Sequence, residues 1–180
     1  EAGSAGSDIT FFEYPGARRG RAGRGMVHTV VWRVGSTEAV DFWEERLARA
    51  GVETTRDADS LTFTDPEGLG LEIRLVETGD EPLVAIHPEI PALVAIQGFD
   101  GVRAYTGDAD GSRAFLTDTM GFAPEGETAF DVRGDRRGSF YAYDEIAHTG
   151  FPGAGTVHHV AWSSLPEEHE AWRDRVAQGG

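Results

Sequence analysis

Two adjacent histidines, His158 and His159, form the pair with the clearest potential to bind a metal ion. In a regular β-strand neighbouring side chains point to opposite faces, so one strand offers only one of the two imidazoles to a given site. A neutral imidazole that faces a cavity is an ordinary ligand for Fe(II), Mn(II) or Zn(II). The pair therefore indicates one metal-binding histidine, and the neighbouring residues indicate whether it is His158 or His159.

An earlier segment, residues 25–32, repeats the pattern of residues 155–162 in the same register, so that His28 matches His158 and Thr29 matches His159. The face that carries His158 also carries aromatic and branched residues, which suit packing against a helix. The face that carries His159 has smaller neighbours, which leave room for a ligand; these are Val157 and Ala161. We therefore predict that His159 is the metal ligand and that His28 is a core or rim residue.

A carboxylate ligand is the second requirement of such a site, and Glu72 is the candidate in the first half of the chain. It lies on a predicted strand, on the face opposite Leu71, Ile73 and Leu75. Because Thr29 occupies the matching histidine position, we expect Glu72 to be a solvent-facing strand residue rather than a ligand. In the second half Arg103 stands at the equivalent start, and the final strand, over residues 139–143, carries no carboxylate. Both halves are thus predicted to be metal-free.

Composition narrows the classes of function. The 180 residues carry 31 acidic and 16 basic side chains, a formal charge of −15, which argues against nucleic acid or an anionic membrane as a partner. There are no cysteines, so thiolate metal sites, disulfides and a cysteine nucleophile are excluded. No apolar run is long enough to cross a bilayer, and no signal peptide opens the sequence, so we expect a cytoplasmic enzyme.

The elements that would position these residues occur in the same order twice. A strand over residues 27–34 is followed by a helix that begins after Ser36 and ends at Gly51, and then by strands over 60–64 and 69–76. From residue 101 the order recurs, with a helix capped by Asp108 or Asp110 that ends at Gly121. The two helix-ending glycines lie 70 residues apart, which predicts a repeat of about that length.

Both ends of the chain resemble parts of further units. Residues 9–14 predict a strand that must pair with something. Residues 155–162 predict another strand, and Ser164 to Glu167 has the form of a capping box in front of a third helix. We therefore expect the chain to be a piece of a longer protein, with an incomplete unit at each end.

The paired histidines at a unit start, the strand–helix–strands repeats and the Asp65-Pro-x-Gly-x-x-x-Glu72-Ile sequence resemble the vicinal-oxygen-chelate superfamily. Within it, the chain is similar to four-module ring-cleaving dioxygenases of the hydroquinone type. The resemblance implies an α+β fold of repeated βαβββ modules, two complete modules pairing into a cup-shaped barrel, with partial modules at both ends. It places the end of module one at 1–16, module two at 26–77, module three at 98–145 and the start of module four at 155–180.

The resemblance also implies a chemistry. In this family Fe(II) or Mn(II) is held by one histidine of module one and by a histidine and a glutamate of module four. His159 matches the module-four histidine, and His158 resembles a residue that interacts with the substrate. The other two ligands are expected outside these residues. The implied reaction joins a small dihydroxylated aromatic and O2 at the metal, with Fe(II) the first expectation and Mn(II) the second, and with a homodimer as an expected assembly.

Two alternatives stay open. A glyoxalase-like isomerase or hydrolase uses the same modules with a different metal and an additional carboxylate ligand. Metal-free modules of this type can also bind small hydrophobic molecules without any chemistry. For the isolated 180-residue chain we expect no catalysis, because one ligand cannot hold a metal tightly.

Overall fold

A single sheet of eight strands organises the computed structural model, which describes residues 4–179. Residues 1–3 of the predicted N-terminal loop, and Gly180, lie outside the described residues. The strand order is β2-β3-β4-β1-β5-β8-β7-β6. β1 and β5 meet antiparallel at the centre, while β1 pairs in parallel with β4 and β5 in parallel with β8.

The first half of the sheet has the order βαβββ. Its elements are β1 (Val27–Val34), α1 (Thr37–Arg49), β2 (Thr55–Arg56), β3 (Ser60–Thr64) and β4 (Gly70–Leu75). Ser36 caps α1 through a hydrogen bond from the Ala39 N–H, and Gly51 follows the helix with a φ of 74°, as the sequence predicts. The apolar side of α1 packs on the sheet around Val34, Val40 and Leu61, all fully buried.

The second half repeats this order. Its elements are β5 (Phe99–Thr106), α2 (Ala109–Ala114), β6 (Ala123–Glu125), β7 (Ala129–Arg133) and β8 (Gly138–Glu145). Asp108 caps α2 by accepting from the Gly111 N–H at 2.9 Å. The helix continues as a π-helical turn, Phe115–Thr119, and packs on the fully buried Phe130. The predicted α+β fold of repeated βαβββ modules is confirmed.

Strands β2 and β6 lie at the two edges of the sheet and are not paired with each other, so the two modules pair into one open sheet.

Two sequence expectations are corrected. Residues 9–14 and 155–162 form no strand in the described part of the chain, because neither segment has a continuous backbone partner there. Ser164 does not cap the last helix, α3 (His169–Gly179), which follows a 3-10 turn over Pro166–Glu168.

Two connectors, residues 15–26 before β1 and residues 146–154 after β8, contact each other beside the sheet. Arg19 pairs with Ala154 and Arg21 with Phe151 through isolated β-bridges. Between residues 4 and 179 no helix combines the length and the apolar character that a membrane span requires. The boundaries of the four predicted modules remain predictions.

Candidate functional site

The His158–His159 pair lies in an extended segment without regular strand pairing. Both side chains are exposed, and their rings meet edge to face with centroids 5.0 Å apart. The two Nδ1 atoms are 2.8 Å apart, within hydrogen-bond distance. The imidazoles therefore lie on the same side of the chain, and the expectation that they point to opposite faces is wrong in this structure, because it assumed a regular strand.

Aromatic contacts locate the histidine pair relative to the rest of the chain. The ring of Phe12 lies 6.2 Å from that of His158, so the segment at 9–14 lies alongside the histidines. Trp162 packs edge-on against Phe122 at 5.1 Å and lies 6.3 Å from Tyr141. The histidine segment is thereby attached to the helix side of the second module.

A complete metal site is not formed by these histidines within the described part of the chain. Residues 4–179 contain no group of three or more His, Asp or Glu side chains placed to hold one ion. His159 has His158 as its polar neighbour. The donor chemistry of one imidazole fits Fe(II) or Mn(II), but a ligand set for the ion requires more than these residues supply.

The open face of the sheet holds a second polar cluster, which crosses the β1–β5 seam. Arg103 on β5 donates from Nε to Glu72 on β4 at 2.9 Å. His28 on β1 lies 3.0 Å from Asp144 on β8, measured from Nε2 to Oδ2. Each acidic side chain is thus paired with a basic residue of the other module, and the two pairs tie the modules together.

Two sequence interpretations fail at this cluster. Glu72 was expected to face solvent, yet its side chain is only 7% exposed because the Arg103 guanidinium covers it. The last strand of the second module was expected to lack a carboxylate, but β8 continues to Glu145 and includes Asp144. The parallel registers pair Thr29 with Gly70 and Arg103 with Ala142, so Glu72 and Asp144 occupy equivalent places two residues further along.

A β-bulge in β1 explains why the His28 side chain lies on the open face of the sheet. Along β1 the pairing passes from Val27 to Thr29 while its partner moves only from Ala104 to Arg103. His28 is the extra residue, and a bulge re-aims the side chain that it carries. The imidazole therefore leaves the expected packing face, stacks on Tyr105 at 3.7 Å and shares the open face with Thr29.

The protonation of His28 follows from its contacts. Burial lowers the pKa of His28, and the neighbouring Asp144 carboxylate opposes that shift. A neutral imidazole has one N–H, and donating it from Nε2 to Asp144 leaves Nδ1 to accept from the Thr29 hydroxyl at 2.9 Å. The Thr29–His28–Asp144 chain is consequently satisfied without a net positive charge on the ring.

Two adjoining grooves open on this face. The larger, of about 720 Å³, is bordered by Arg103, Glu72 and Phe63 together with five threonines: Thr29, Thr54, Thr55, Thr62 and Thr64. The smaller, of about 450 Å³, is bordered by His28, Tyr105 and His148 and by the connector residues Arg19 and Arg21. Neither groove includes His158 or His159, so the sheet face and the histidine pair are separate places.

Comparisons with known proteins give a consistent set of relatives. No family model matches the chain. It is 34% identical over 189 residues to the "Putative ring-cleaving dioxygenase MhqO" of Bacillus subtilis (strain 168), covering 100% of this chain and 60% of that protein. It is 29% identical over 185 residues to "Putative ring-cleaving dioxygenase MhqE" of the same organism, covering 98% of this chain and 60% of the relative.

A solved structure agrees with the sequence comparison. A putative dioxygenase from Bacillus subtilis subsp. subtilis str. 168 superposes with a TM-score of 0.82 at 34% identity, over 97% of this chain and 59% of the other. The chain thus spans about 60% of the length of these relatives.

Proposed function

We propose that the chain is part of a metal-dependent ring-cleaving dioxygenase of the vicinal-oxygen-chelate superfamily, acting on hydroquinone- or catechol-like aromatics. The observation that carries the proposal is the 34% identity to MhqO over the whole chain, together with a shared fold. Fe(II) is the metal we propose, with Mn(II) as the alternative.

His159 is the metal ligand in this proposal, and the contact between the two histidines supports that role. If the Nδ1–H of His159 donates to Nδ1 of His158, the lone pair of His159 at Nε2 is free for a metal. His158 is then the tautomer with its proton on Nε2, where it can donate to a substrate hydroxyl or its anion. The metal, when bound, would supply the redox chemistry with O2.

The matching residues of the first described module, His28 and Thr29, support an arrangement in which both histidines face the same side of the chain. At the matching positions His28 Nδ1 and Thr29 Oγ1 are 2.9 Å apart, within a paired strand, because of the bulge at His28. An equivalent bulge at His158 would turn both imidazoles of the fourth unit toward one site. We therefore propose His159 as the ligand and His158 as the residue beside the substrate.

Oxygen uptake tests the proposal in the protein that carries this chain. We expect consumption of O2 with hydroquinone in the presence of Fe(II) or Mn(II). H159A should lose bound metal, measured by elemental analysis, and at least about a hundredfold of kcat, whereas H158Q should keep the metal and lose kcat by about 10²-fold or more. H169A is the matched control, since His169 is an exposed histidine on α3 and should leave both values unchanged.

Two results would contradict the proposal. Full metal content in H159A would show that His159 is not a metal ligand. Formation of lactoylglutathione without oxygen uptake would favour a glyoxalase-like reaction instead. The 180-residue chain alone should consume no O2 with hydroquinone at stoichiometric Fe(II), because its described residues offer no second and third ligand near His159.

A further inference from the structure

Arg103 borders the larger groove, and only one of its three nitrogens is paired in the described part of the chain. Its Nε donates to Glu72, and its guanidinium carbon lies 5.5 Å from the centre of the Phe140 ring. These two contacts fix the plane of the group. In the described part of the chain neither of its terminal nitrogens, Nη1 and Nη2, has a hydrogen-bond partner, and the side chain is 32% exposed.

Arg33, on the neighbouring strand β1, shows what a guanidinium in this sheet can hold. Its Nη1 is 3.0 Å from Asp80, and its Nε is 3.3 Å from Asp100, so one arginine contacts two carboxylates. All three side chains are less than a tenth exposed. Arg103 has a carboxylate partner at Nε, as Arg33 does, but it has none at Nη1 in the described part of the chain.

The groove can supply the rest of a binding site. The hydroxyls of Thr29, Thr62 and Thr64 can donate to or accept from the remainder of a ligand, whereas the Phe63 side chain packs beneath α1 on the other face of the sheet. Of the two carboxylates that border it, Glu72 is paired with Arg103, and Glu53 is exposed. One further negative charge would meet the free edge of the guanidinium, which matches a carboxylate with two parallel hydrogen bonds.

We propose that this groove binds a small monocarboxylate, whose carboxylate takes at Arg103 the place that Asp80 takes at Arg33. The site lies on the open face of the two complete modules, and it does not depend on the metal chemistry proposed for His159. Its ligand class is set by Arg103 for the charged end and by the hydroxyls of Thr29, Thr62 and Thr64 for the remainder.

Benzoate and benzamide are matched probes, because they share a shape and differ in charge. Titration of the 180-residue chain, followed by calorimetry and by the NMR signal of the Arg103 side-chain N–H, should give saturable benzoate binding at least about tenfold tighter than benzamide. R103K keeps a charge opposite Glu72 but lacks the fork, and should weaken benzoate by about tenfold or more.

R74K is the matched control. Arg74 also lies 5.5 Å from the Phe140 ring, but it pairs with Asp100 and borders neither groove. It should leave benzoate affinity unchanged. Equal affinity for the two probes, an equal loss in R74K and R103K, or no saturable benzoate binding to the folded chain would each overturn the proposal. The comparison of the two probes on the unmodified chain decides the question even if R103K fails to fold.

Discussion

Replacing Gly23 with alanine should separate the two connectors that cross beside the sheet. A Cβ at Gly23 would lie 2.1 Å from the backbone N of Gly150, 2.5 Å from its Cα and 2.7 Å from the carbonyl carbon of Thr149. All three contacts are to backbone, which cannot turn aside as the end of a side chain can. Gly23 has no positive φ, so the alanine itself would be unstrained and the effect would be steric alone.

The expected loss combines two sources. Forcing additional atoms into a packed site costs about 1–3 kcal/mol. Moving the connectors apart also weakens the hydrogen bonds that join Arg21 and Phe151, at 3.0 and 2.9 Å, each worth roughly 1 kcal/mol net. We expect G23A to lower the free energy of unfolding by about 2–4 kcal/mol, or Tm by roughly 5–15 °C for a chain of this size.

G79A is the matched control, since Gly79 also has no positive φ and a Cβ there meets nothing within 4 Å. Thermal unfolding measures the difference in the free energy of unfolding between the two variants. Amide exchange at Arg21 and Phe151 reports whether only the contact between the two connectors opens. If the free energies of unfolding of G23A and G79A agree within about 0.5 kcal/mol and those amides stay protected, the close contact between Gly23 and Gly150 does not hold the connectors together.

Two further predictions concern charge. Because the Asp144 carboxylate opposes the lowering of the His28 pKa by burial, D144N should lower that pKa further, as an NMR titration of the imidazole would show; an unchanged or higher value would refute the assigned contact. The Gly138 N–H, with Arg133 and Arg33, holds the pKa of Asp80 well below its usual range, so this carboxylate stabilises the fold above about pH 4 and the contribution is lost as the pH falls. D80N should be less stable than the parent by roughly 3 kcal/mol at pH 7 and show a flatter decline between pH 5 and 3 in urea unfolding; parallel curves would contradict this.

The repeating elements were accessible from sequence because their signals are local. Ser36 and Gly51 mark both ends of α1, and Asp108 and Gly121 bracket the second helix. Short edge strands such as β6, which contains Pro124, carry no such signal and were missed. The end segments have strand composition, but a strand also needs a backbone partner, which composition does not report.

The candidate site was less predictable because it depends on long-range register. Alternation along β1 places His28 on the packing face, and only the pairing of Val27 and Thr29 with consecutive residues of β5 reveals the bulge. The burial of Glu72 likewise depends on Arg103, which is 31 residues away in sequence and on the other module. Asp144 was missed because the strand that carries it ends two residues later than expected.

The bulge in β1 has a consequence for how duplicated modules diverge. One additional residue lets two successive positions, His28 and Thr29, face the same side of the sheet. On the proposal that His159 binds the metal, threonine at the matching position, Thr29, removes that ligand from one module while His28 keeps its orientation. Deleting Val27 would have a larger effect. It would restore strict alternation along β1 and turn the His28 imidazole toward the hydrophobic layer beneath the helix.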